Sequence, residues 1–133
     1  MLPATLAASA AARASFAASG KMTLALHQNT SSAAGYRKSL EGWARAGIKN
    51  VEITAALLDE FLKTDSLDAA RRVLTDNGLM PVSGACGVTG LIEPNAGRLA
   101  SFEDFKKRCE MFTAVGLKRT YITTTTAPGR AKF

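Results

Sequence analysis

The sequence predicts an α/β fold with a parallel sheet and crossover helices. The main reason is a unit of helix, glycine, branched apolar residue and short strand that occurs three times. Its copies are Gly47-Ile48-Lys49-Asn50-Val51-Glu52-Ile53, Asn77-Gly78-Leu79-Met80-Pro81-Val82-Ser83 and Val115-Gly116-Leu117-Lys118-Arg119-Thr120-Tyr121-Ile122. Their glycines lie 31 and 38 residues apart, about one strand–helix unit. An apolar run from Met22 to His27 precedes the first helical pattern, so the order is β-α-β-α-β-α-β. Either an open parallel sheet or half of an eight-stranded β/α barrel fits that order.

Taking the elements in turn, residues 1–21 stand apart. They are mostly Ala and Ser with few charges, and they read as a disordered tail or the remnant of an export signal. Met22 is an alternative start. Met22 to His27 is the first strand, and Gln28 to Gly35 a polar loop. Tyr36, Leu40, Trp43 and Ala44 fall on one helical stripe that Gly47 ends. Asn50 to Ile53 is the second strand, and Ala55 to Lys63 a short helical piece. Ser66 is placed to cap a helix with Leu67, Ala70, Val73 and Leu74 on its buried face.

Met80 to Ala85 is the third strand, and Gly87 to Ala100 reads as a long loop. Ser101 followed by Asp104 looks like a capping box for a helix that buries Phe102, Phe105, Cys109, Phe112 and Val115. Tyr121 to Thr123 is the fourth strand. The organised part therefore covers residues 22–126, with a tail at 127–133.

At 133 residues and 47% apolar composition the chain has material for one domain with a real core. No stretch is apolar and long enough to span a membrane. Two cysteines, Cys86 and Cys109, make neither a metal spacing nor a disulfide framework. The net charge of +6 is spread over helix faces rather than gathered in one stripe, so nucleic acid is a weak expectation. After the first strand, His27-Gln28-Asn29-Thr30 lacks the glycines of a dinucleotide-binding turn, and no phosphate-binding loop is present.

Ligands in parallel α/β folds meet the carboxyl ends of the strands. His27, Glu52, Cys86 and the threonines 123–125 are the polar groups expected there, converging on one face of a pocket. Glu52 alternates with Val51 and Ile53, so it points away from them. A carboxylate in such a strand is either in a barrel interior or on an exposed face. The plainer roles are backbone hydrogen bonding for His27, packing for Cys86 and strand propensity for the threonines. Glu93 reads as a solvated loop residue, and Arg71-Arg72 and Lys106-Lys107-Arg108 as solvated helix faces.

Leu24-Ala25-Leu26-His27, Trp43-Ala44-Arg45-Ala46-Gly47-Ile48-Lys49-Asn50-Val51-Glu52-Ile53 and Gly78-Leu79-Met80-Pro81-Val82-Ser83-Gly84 resemble the xylose-isomerase-like superfamily of sugar isomerases and epimerases. The resemblance covers about residues 22–126 and implies a partial (β/α)8 TIM barrel, the N-terminal half with about four strands. It implies a sugar or sugar-phosphate substrate. It also implies a divalent metal, Mn²⁺ or Mg²⁺, that assists proton transfer between adjacent carbons in the full-length family. The family's metal ligands come from later strands, so no metal ligand is assigned here. His27, Glu52 and Cys86 are expected on the substrate side, and the chain is expected to be truncated and inactive alone.

A non-enzymatic half-barrel that associates through its open sheet edges, as a homo-oligomer, is the alternative. An endonuclease-type barrel is a third reading, disfavoured because such metal sites use several histidines and this chain has one. A cytoplasmic location is expected, or a periplasmic one if residues 1–20 are an export-signal remnant.

Overall fold

Four parallel strands lie side by side in chain order, β1-β2-β3-β4. They are β1 (Leu26–His27), β2 (Asn50–Thr54), β3 (Met80–Val88) and β4 (Thr120–Thr124). Helix α1 (Gly35–Arg45) joins β1 to β2, α2 (Ala55–Leu62) and α3 (Leu67–Asp76) join β2 to β3, and α4 (Arg98–Ala114) joins β3 to β4. The structure is a computed structural model, and it describes residues 23–91 and 94–124. The tail 1–21, Met22, Glu93, Thr125 and the residues after it lie outside the described residues.

The strand order settles the choice left open by the sequence. A doubly wound sheet reverses its order at a switch point, which puts helices on both faces. Here the order never reverses, so right-handed crossovers place every helix on the same face. The helices accordingly touch one another, α1 with α2 and α3, and α3 with α2 and α4. This is the arrangement of half a β/α barrel.

The three repeated glycines have the conformation that the sequence requires. Gly47, Gly78 and Gly116 have φ of 84, 62 and 98°, where a side chain is resisted. Around each the same pair of bonds closes the helix. Ile48 N–H donates to Trp43 O, Leu79 to Leu74 O and Leu117 to Phe112 O at 3.0, 2.9 and 2.9 Å, while each glycine N–H bonds three residues back. The apolar residue after the glycine then packs into the core, with Leu79 and Leu117 buried and Ile48 partly so. One core cluster results, from Tyr36, Leu40 and Trp43 of α1 through Val51 and Ile53 to Val73, Leu74 and Phe112.

Several expectations need correction. The first strand is only Leu26–His27, and Leu24 is 90% exposed. Only those two residues find ladder partners, Val51 and Glu52; below them the Asn50 side-chain amide bonds Leu24 O at 3.2 Å instead of a strand. The polar loop is a 3-10 turn over Gln28–Ala34, broken at Ser31.

The third strand runs on to Val88, which shortens the expected loop. Helix α4 starts at Arg98, one turn before Ser101, with Gly97 at its cap. Ser101 Oγ therefore accepts from Thr89 N–H at 2.8 Å and ties loop to helix rather than capping. Of the face expected on this helix, Phe112 and Val115 are buried while Phe102, Phe105 and Cys109 are only partly so. Ser66 does cap α3, accepting from Ala69 N–H at 3.1 Å.

Candidate functional site

Strand alternation divides the sheet into two faces. Val51, Ile53, Cys86 and Val88 point into the helical layer and are buried. Glu52 points the other way, paired in register with His27 on β1 and Ser83 on β3. Ala85 and Tyr121 continue that face as a second registered pair. No helix among the described residues covers it.

His27 closes β1 and begins the 3-10 turn. Its Nδ1 accepts from Asn29 N–H at 3.1 Å, so the proton of the neutral ring sits on Nε2. Nε2 lies 3.4 Å from Glu52 Oε1. The Tyr121 hydroxyl donates to the same oxygen. Tyr121 stands two strands away, and it reaches Glu52 because β3 presents only Ser83 and Ala85 between them. The hydrogen bond to Glu52, with lesser help from burial and from the carboxylate's charge, pushes the Tyr121 phenol up to about 12. Tyr121 is therefore a protonated donor throughout the neutral range. Both contacts fall on Oε1, and no described side chain donates to Oε2.

Gln28, which follows His27, is fully buried. Its amide donates to Tyr36 O at 3.3 Å and Ser39 Oγ at 3.2 Å, and its carbonyl accepts from Thr54 N–H at 3.2 Å. It clamps the ends of β1 and β2 to the start of α1, and so holds His27 beside Glu52. Sequence reasoning assigned no role to Gln28 or Tyr121. A strand alternation in register with small residues on β3 would have pointed to Tyr121; a lone Gln in a polar segment carries no such signal.

Cys86 was expected on the same pocket face as His27 and Glu52, and the structure does not place it there. It lies an odd number of residues after Ser83, hence on the helical face, where it is 6% exposed. Its Sγ is 3.2 Å from Thr120 Oγ1, and it lines a cleft of about 330 Å³ with Ala55, Asp59, Ser101 and Arg108. Arg108 is paired with Asp59 there, which holds the guanidinium firmly charged. Thr123, also expected at the site, uses its hydroxyl on the Cys86 carbonyl at 3.4 Å.

Among the described residues no three His, Cys, Asp or Glu side chains converge as a metal would require. His27 and Glu52 offer two donor groups, and the His27 Nδ1 lone pair is already taken by Asn29. A divalent ion holding sugar oxygens here would need ligands from beyond the described residues. No helix among them is long and apolar enough to cross a membrane. No protein-family model matches the chain, and no curated protein matches it.

Proposed function

We propose that the open sheet face is the first half of a sugar-binding barrel mouth of the isomerase or epimerase type. The observation that carries this reading is the convergence on the helix-free face of His27 at the end of β1, Glu52 in the middle of β2 and Tyr121 near the start of β4. Glu52 accepts a substrate hydroxyl through Oε2. His27 and Tyr121 hold the carboxylate in orientation through Oε1. Moving a proton between adjacent carbons needs a positioned base within hydrogen-bond reach of the substrate, the role a carboxylate such as Glu52 would take on this wall.

The test is titration of the protein with fructose and with its phosphate ester, followed by amide NMR shifts. Fructose is expected to move residues around Glu52. Glu52→Gln is expected to weaken binding about 10- to 100-fold, the value of a charge-assisted hydrogen bond of about 1.5–3 kcal/mol. Unchanged affinity in Glu52→Gln, or shifts confined to the helical clefts, would refute the reading.

A further inference from the structure

We propose that the hydroxyls of Thr54 and Ser31 bind hydroxyl groups of the ligand that Glu52 holds, and that the turn over residues 31–35 moves aside to admit them. This deepens the reading of the helix-free face as a sugar-binding wall and rests on it. Among the described residues, Ser31 Oγ and Thr54 Oγ1 are shut off from solvent and have no hydrogen-bond partner. Buried polar groups are nearly always bonded, and an orphan costs the fold stability. Thr54 is only 9% exposed. It is also the cap residue of α2, where a threonine oxygen ordinarily accepts from a helix amide, yet its hydroxyl makes no such bond. The start of the helix therefore does not account for it.

The register places Thr54 on the same side of the sheet as Glu52. A Cβ added at Gly84 would meet Phe112 of α4, so Gly84 faces the helices. Thr54 pairs with Ala85, the next residue, and both therefore lie on the opposite face. Glu52 shares that face two residues earlier, so Thr54 stands about 7 Å farther along β2. Thr54 is the last residue of the strand, and carboxyl ends of parallel strands are where ligands meet such sheets. A hydroxyl is both donor and acceptor, and so is each hydroxyl of a sugar. Glu52 accepts from one such group, and Thr54 and Ser31 are placed to serve others on the same chain of carbons.

The element that gives way is the 3-10 turn, which packs against β2. Its first half is anchored. Gln28 is buried, while Asn29 N–H bonds His27 Nδ1 and the Thr30 hydroxyl bonds His27 O at 2.7 Å. Its second half is not. The turn kinks at Ser31 (φ −132°, ψ 37°) and ends on Gly35 at φ 72°, with nothing packed against that glycine. Between these two points Ser32, Ala33 and Ala34 are small and exposed, so little burial is lost when they swing away. Two such points around a short loose segment are what a lid over a site requires.

Stability and binding are expected to move independently in the full chain. Thr54→Val removes the hydroxyl and keeps the shape, and Ser31→Ala removes the other. Each is expected to show a urea midpoint equal to or above that of wild type, because no group in the fold loses a partner. Each is expected to weaken fructose binding about 3- to 10-fold, the value of one neutral hydrogen bond. Thr54→Ser keeps the hydroxyl and is expected to keep the affinity. Fructose is also expected to shift the amide signals of residues 31–35. A lowered midpoint in Thr54→Val means that the hydroxyl serves the fold and overturns the inference. Fructose binding that either hydroxyl-deleting variant leaves unweakened, that Thr54→Ser weakens as much as Thr54→Val, or that leaves the amides of 31–35 unmoved overturns it while the sugar reading stands. A wild type that binds no fructose refutes the sugar reading and this inference with it.

Discussion

Replacing Gln28 separates two costs that the clamp between β1 and β2 combines. The side chain is fully buried and makes three polar contacts. Without it Tyr36 O keeps a partner, because Ser39 Oγ still donates to it at 3.0 Å. Thr54 N–H has no such substitute, and Thr54 Oγ1 is already buried without a partner. The dominant penalty is therefore one orphaned backbone donor, about 1–3 kcal/mol. Gln28→Leu nearly keeps the volume and should show that penalty alone. Gln28→Ala also empties the site and should cost roughly 2–5 kcal/mol beyond Gln28→Leu, as large-to-small core changes do.

Urea denaturation measures both variants, provided the slope of the transition is unchanged. The ordering expected is wild type, then Leu, then Ala. The same variants should weaken fructose binding, because Gln28 adjoins His27 and Thr54 lies two residues beyond Glu52 on β2. If both variants stay within about 0.5 kcal/mol of wild type, the amide does not hold Thr54 and the clamp is wrong.

Two further outcomes follow from single contacts. Gly84 faces α4 so closely that an added Cβ would stand 2.6 Å from Phe112 Cε2 and 2.9 Å from Leu117 Cδ2, so Gly84→Ala should cost about 1–3 kcal/mol in denaturation. Phe112→Leu in the same chain should recover part of it, and a stability equal to wild type for Gly84→Ala alone would contradict the packing. Tyr121 ionises late because its hydroxyl donates to Glu52, which raises it from 10.0 to about 12. A group raised in the folded state contributes fully below its unfolded value, so this contribution is whole below pH 10 and is lost as pH rises through about 12. Ultraviolet titration should show the first phenolate forming near 12 in the wild type and at lower pH in Glu52→Gln; a midpoint that does not move would mean that Glu52 is not the partner. The other tyrosine, Tyr36, is pushed higher still by burial and does not interfere.

The sequence alone carried the class of fold, because its signals are local. A glycine that ends a helix needs only its own backbone geometry, and all three repeats behave alike at Gly47, Gly78 and Gly116. The alternation at Val51-Glu52-Ile53 likewise needs only a strand, and it put Glu52 opposite two buried neighbours. Element ends were less legible where the deciding partner is distant. Ser101 has the local form of a cap, but its hydroxyl serves Thr89, and α4 begins a turn earlier. Thr23 to Ala25 looked like strand, yet a strand exists only where a neighbour supplies bonds, and among the described residues β2 supplies them to Leu26 and His27 alone.

The site shows the same division. Placing His27 and Glu52 near strand ends was possible from the chain, but their contact required the register of β1 against β2. The face of Cys86 depended on where β3 sits against β2, and a register irregularity after Val51 intervenes between those strands. An odd step from Ser83 sends Cys86 into the helices, which no count along one strand reveals. Tyr121 joins Glu52 across 69 residues of sequence and over an intervening strand. Local chemistry thus wrote the elements, while long-range pairing between strands decided which side chains meet.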